Sequence, residues 1–230
     1  MPGNLYIFLW GRMDFHHPID IYCERTSAVF WAEPLNAISN LSFILAGAAL
    51  LILYRHHDRG VQRIPFDSAA LIFMVFVIGV GSFLFHTFAN TWSMMMDVGP
   101  ILVYQLFLLG FYARRVIGLN RYRTLMILLG FIVLGQTMKS IFPEDTFNGS
   151  LMYAPAFLFL LGYGLFHAAT HQKERFLLLG AAGVFLVSLT FRSVDMTVCP
   201  ALPVGVHYMW HLLNGILLYM TTRAYILNRK

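Results

Sequence analysis

Two histidines four residues apart, His207 and His211 in HYMWH, interrupt an otherwise apolar run. On a helix, residues i and i+4 share a face, so both imidazoles can reach one point. A third histidine, His86, lies in VGSFLFHTF with Ser82 one turn ahead of it, and Asp97 opens the DVGP stretch that follows. Three imidazoles, a carboxylate and a hydroxyl would suit a metal hydrolase if the fold brought them to one depth. Zinc accepts neutral imidazole, and three protein ligands with an open fourth position is the arrangement of catalytic rather than structural zinc. Calcium and magnesium prefer oxygen donors, and two cysteines are too few for a Cys-rich closed site. Each residue alone also has a plainer reading. An intramembrane histidine is often a hydrogen-bonded packing residue, a serine can bond back to the carbonyl one turn earlier, and Asp97 could cap a helix. The conjunction points to chemistry, because ionisable groups within apolar spans are costly.

The elements that must position these residues follow from composition. The 230-residue chain is 58% hydrophobic, 16% aromatic and 12% charged, well below the roughly 25% charge of an average soluble domain. Apolar stretches of about 17–25 residues, long enough to cross a bilayer as helices, fall near 36–54, 68–88, 97–113, 124–142, 151–170, 176–192 and 206–226. They are continuous rather than alternating, which excludes the strands of a membrane barrel. The predicted fold class is therefore an all-α integral membrane protein, a seven-transmembrane-helix bundle forming one domain over 1–230 that includes an outer N-terminal segment over 1–35. Pro34, Pro100 and Pro155 are expected in the first turns of their spans, where a missing N–H costs little. The start, MPGNLYIFLWGR, has no basic n-region or cleavage site and reads as an interfacial segment rather than a signal peptide, with Met13 an alternative start.

The net charge of +5 does not imply nucleic acid, because the basic residues are distributed by loop. Arg55, Arg59, Arg63, Arg114, Arg115, Arg121, Arg123, Lys173, Arg175, Arg223, Arg229 and Lys230 follow the odd-numbered spans, against Arg12, Arg25, Lys139 and Arg192 on the other side. By the positive-inside rule the N-terminus is outside and the C-terminus cytoplasmic. His86, Asp97, His207 and His211 then share the non-cytoplasmic depth, a periplasmic face in a Gram-negative cell. Cys23 and Cys199 fall on that same oxidising side, as a disulfide or as two free thiols. His167 and His171 repeat the i, i+4 spacing at the opposite boundary and read as interfacial polar residues, as do His56 and His57.

The stretches YCERT, AEPLNAISN, GSFLFHTF with its following Asp97, and HYMWH resemble the alkaline ceramidase family, within a broader superfamily of seven-helix membrane hydrolases. The likeness runs from Asp14 to Tyr225 and is strongest to compact prokaryotic members. It implies that His86, His207 and His211 bind Zn2+, that Ser82 and Asp97 are catalytic, and that Cys23 and Cys199 are bonded. It also implies a Ca2+ site in the N-terminal segment, for which Asp20, Glu24 and Glu33 are the candidates. Here the pattern departs. Asp20 stands one residue farther from Cys23 than the family places it, Thr26 replaces an asparagine, and the two glutamates are closer together. Glu33 could instead cap the first helix or pair with Arg25.

The expected reaction is hydrolysis of the amide of a ceramide-like membrane lipid to a sphingoid base and a fatty acid, or of another N-acyl lipid. Zinc would activate water, Asp97 would carry its proton to the departing amine, and Ser82 would donate to the oxyanion. Phe83, Phe85, Phe88 and Trp210 are candidates for an apolar wall, and Arg192 and Asp195 for an ion pair. Two rivals are a seven-helix receptor, expected to carry a long cytoplasmic tail, and a metal or proton transporter, expected to place polar groups through the whole membrane thickness.

Overall fold

The structure is a computed structural model that describes residues 14–57, 64–143 and 145–230. The segment through Met13, together with Arg59 and Arg63, lies outside the described residues. Helices α1 (Pro34–Ser39) and α2 (Leu41–His57) form one span. They are followed by α3 (Phe66–Phe88), α4 (Thr91–Tyr112), α5 (Arg121–Ile141), α6 (Ala154–Ala169), α7 (Leu177–Val198) and α8 (His207–Asn228). Among the described residues there is no strand, only an isolated bridge between Pro18 and Asn90.

Six of these spans are long and apolar enough to cross a membrane, compatible with a multi-pass membrane protein. Helix α8 matches them in length but not in hydropathy, because it carries His207, His211, Asn214, Thr221, Thr222, Arg223 and Asn228. Its placement explains how that is tolerated. It packs against α2 and α7, and most of its polar side chains are buried, so they meet protein rather than lipid. Helix α5 is the opposite case, with only Thr124 and Phe131 buried. Large apolar side chains such as Phe73, Val80, Val133 and Leu165 face outward, as expected where the surrounding solvent is hydrocarbon.

Helix α4 corrects one boundary. It begins at Thr91 rather than near Asp97, because Asn90 and Ser93 form a reciprocal capping box that satisfies the first turn. Asp97 is therefore not an N-cap but stands in the second turn, and Pro100 lies inside the helix. A proline there cannot donate to the carbonyl four residues back, which is that of Met96. That carbonyl faces Gly81 of α3 so closely that a Cβ on Gly81 would sit 1.9 Å from its oxygen. Gly81 and Met96 immediately precede Ser82 and Asp97, so the tightest crossing of α3 and α4 lies beside the two catalytic candidates.

Candidate metal centre

His207 and His211 occupy the first turns of α8, and His86 the last turn of α3. All three are 1% exposed. One nitrogen from each falls within 4.8 Å of the others, and the ring centroids are 4.6 to 5.3 Å apart. Among the described residues this is the group of side chains that could hold a metal ion.

The rings are oriented from outside. His86 Nδ1 lies 2.5 Å from Glu33 Oε2, so it donates there and leaves Nε2 with a free lone pair. Ser39 Oγ donates to the Asn36 carbonyl and lies 2.8 Å from His211 Nδ1. The hydroxyl therefore accepts from His211, which fixes that ring in the same tautomer. His207 is stacked on Tyr22 at 3.6 Å. The buried atoms His86 Nε2 and His207 Nδ1 have no hydrogen-bond partner. Buried orphan nitrogens are expensive, and carboxylate or hydroxyl partners behind the ring are the usual support of metal-ligating histidine. A three-imidazole set in which two buried nitrogens have no partner fits zinc.

Ser82 is buried one turn before His86, and its hydroxyl lies close enough to the half-buried carboxylate of Asp97 to act on it electrostatically. The structure thus brings together all five residues that spacing singled out. It also assembles a shell that spacing did not reveal. Asp195 is fully buried; one oxygen accepts from the N–H groups of Val206 and His207 at 2.7 and 2.9 Å, and the other from Cys23 N at 3.0 Å. Gly205, at φ +63°, lets the chain pass this carboxylate, since a Cβ there would meet Asp195 Oδ1 at 2.3 Å. Asp195 therefore caps α8 and does not pair with Arg192. Arg192 instead donates to the Tyr22 hydroxyl at 2.5 Å and lies over the rings of Tyr153 and Trp210. The polar run NAISN in the first span was the available signal for Ser39; Asp195 stood out only as a partner for Arg192, and nothing in the sequence marked it as the cap of α8.

The N-terminal segment is clasped to this end by a disulfide between Cys23 and Cys199, Cα atoms 5.5 Å apart. Its carboxylates do not gather around a common point. Asp20 is exposed. Glu24 accepts from the N–H groups of Leu35 and Asn36 at 2.7 and 2.8 Å, capping α1 from a distance. Burial pushes the Glu24 carboxyl up, and those two bonds oppose it. Glu33 stands at the N-cap position without capping; it pairs with Arg25 at 2.5 Å and with His86. Burial alone would raise the Glu33 carboxyl, but the bonds from His86, Asn36 and Arg25 hold it below its ordinary value.

The four candidates for an apolar wall take different positions. Phe83 and Phe88 pack with Trp31 and Phe30, and Phe85 packs edge-on to Tyr22 and to His86. Trp210 does line an apolar cavity, with Phe43, Tyr104, Leu218 and others. A second cavity of about 600 Å³ opens between α4 and α5 and reaches Tyr153 and Arg192. The two share Ile101, Gln105, Phe131 and Tyr153 as wall.

The family model for Ceramidase matches residues 20–229, nearly the whole chain. The chain belongs to the ceramidase family. No curated protein matches it. Membership makes it a hydrolase, supports ceramide-hydrolysing activity in general, and agrees with a metal-dependent site. It gives no support to a receptor or a transporter. For a ceramidase the substrate is a membrane lipid, which accords with cavities walled by apolar side chains.

Proposed function

We propose that this ceramidase-family protein is a zinc-dependent amidase that hydrolyses ceramide-like N-acyl lipids to a sphingoid base or other lipid amine and a fatty acid. The observation that carries the reading is the convergence of three buried imidazoles, two of them with buried unpartnered nitrogens, beside Ser82 and Asp97. His86, His207 and His211 would hold the ion. When bound, zinc supplies Lewis-acid chemistry, polarising a carbonyl and making water nucleophilic near neutral pH. Water adds to the amide carbon and the C–N bond breaks. Asp97 takes the proton that water loses and returns it to the departing nitrogen. Ser82 donates to the oxygen on which charge develops. Acyl chains would enter sideways through the cavity between α4 and α5, bringing the amide to the polar end.

The same reading makes α8 the seventh span and the histidine end non-cytoplasmic. It is supported by the crowding of Arg55, Arg114, Arg115, Arg121, Arg123 and Arg175 at the ends of spans away from the histidines. The test is fatty-acid release from a panel of ceramides and other N-acyl lipids by the purified protein in detergent. Activity should vanish with a zinc chelator and return with zinc. Ser82→Ala should lose about 10²–10³ in turnover while keeping its zinc. Full zinc occupancy with no hydrolysis of any lipid amide would sink the proposal.

A further inference from the structure

The residues implied for calcium do not fit it. A calcium ion asks for six to eight oxygens, yet the Glu24 oxygens face main-chain N–H groups and those of Glu33 face Arg25, His86 and Asn36. A cation is nevertheless present at that place, and it belongs to the chain. The Arg25 side chain is 5% exposed. Its Nε donates to Glu33 at 2.5 Å, Nη1 to the Ser27 carbonyl at 3.2 Å and Nη2 to the His86 carbonyl at 3.1 Å. One positive group thus gathers a carboxylate, a loop carbonyl and a carbonyl at the end of α3, the kind of oxygen set a bound cation would collect. We propose that the Arg25 guanidinium is the resident cation of this segment, standing in place of calcium, so that the metal centre is held in position without it.

The chemistry favours this substitution. Guanidinium is always charged and its donors form a rigid fork, so three oxygens are held in a fixed relation by a cation that cannot dissociate. A divalent ion entering beside it would meet like charge, with the carboxylates of Glu24 and Glu33 already engaged and Asp20 exposed and not grouped with them. Glu33 passes the constraint on, because its second oxygen receives Nδ1–H of His86. Arg25 is therefore a positioning residue for a metal ligand, acting through Glu33. The inference rests on His86 being such a ligand but not on the identity of the lipid.

The experiment reads calcium and zinc rather than turnover. Purified wild-type protein in detergent is equilibrated with radiolabelled calcium, and its thermal midpoint is compared in millimolar calcium and in the calcium chelator EGTA. Sub-stoichiometric calcium and one unchanged midpoint are expected. One calcium per chain, or a midpoint that rises with calcium, overturns the proposal. Arg25→Gln should weaken zinc retention about 10–100-fold, the usual cost of losing support behind a ligand, with Arg25→Lys between it and wild type. Unchanged zinc affinity in a folded Arg25→Gln would overturn the positioning role. Absence of lipid hydrolysis would leave every one of these readouts intact, so the two proposals fail separately.

Discussion

HYMWH and HAATH place two histidines at the same spacing, at opposite ends of the bundle, and only one pair joins a group that could hold a metal. His207 and His211 both lie inside α8, both are buried, and a third ring meets them from α3. At the other end α6 stops at Ala169, so His171 falls beyond the helix, exposed and at φ +52°. His167, in the last turn of α6, is buried in the protein with both nitrogens occupied. Nδ1 lies 2.5 Å from the Tyr112 hydroxyl and Nε2 lies 3.0 Å from the Lys173 carbonyl. Spacing decides which rings can face one way; whether they bind depends on which nitrogens the surroundings leave unspent.

The sharpest way to break this contrast is to truncate one histidine from each pair. His211→Ala should lose stoichiometric zinc and with it all turnover, whereas His167→Ala should keep its zinc and lose only stability. Metal analysis on the two variants reads this directly, and retention of zinc by His211→Ala would end the distinction. Next comes Gly81→Ala, which puts a methyl where the Met96 carbonyl stands. Overpacking of this kind costs about 1–3 kcal/mol. A shift of about 1 Å between Ser82 and Asp97 should cut turnover roughly 10²-fold, with zinc retained because all three histidines remain.

Asp195→Asn tests the cap on α8 more gently. One of its oxygens becomes a donor facing N–H groups, for a loss of about 1–3 kcal/mol, seen as a lower thermal midpoint. The smallest effect belongs to the far end, where the Arg223 hydrogen bonds hold the Glu174 carboxyl below its ordinary value. A depressed folded-state pKa stabilises above the unfolded value, and that stabilisation is lost as pH falls through the folded one. Because Glu174 is exposed, Glu174→Gln should only slightly flatten the acid limb of stability against pH, leaving zinc content untouched. A large change would mean that this end matters to the site.

The five central residues were legible because chemistry-bearing side chains are conspicuous in apolar helices, and helical periodicity told which could share a face. What remained hidden came from tertiary partners. Pro100 reads as a helix start, but the Asn90–Ser93 box begins α4 earlier. Arg192 and Asp195 look like a pair at helical spacing, yet Asp195 is drawn to main-chain N–H groups of α8 and Arg192 to aromatic rings. Of the seven apolar stretches expected, six are long and apolar enough to cross a membrane; α8, expected over 206–226, is less apolar than they are because it packs against α2 and α7 and tolerates polar groups there. Glu33 reads as an Arg25 partner from sequence, and that pairing is present; its hold on His86 depends on the end of α3 lying alongside, which no local pattern encodes.

Residues 22–25 reach all three imidazoles: Tyr22 stacks on one, Glu24 anchors the helix whose Ser39 orients another, and Arg25 acts on the third through Glu33. This tetrapeptide is sewn to Cys199, 176 positions later, just ahead of the helix that supplies two of the rings. The three-imidazole group therefore cannot assemble during synthesis until α8 has been made, because two of its rings lie there and the third waits on α3.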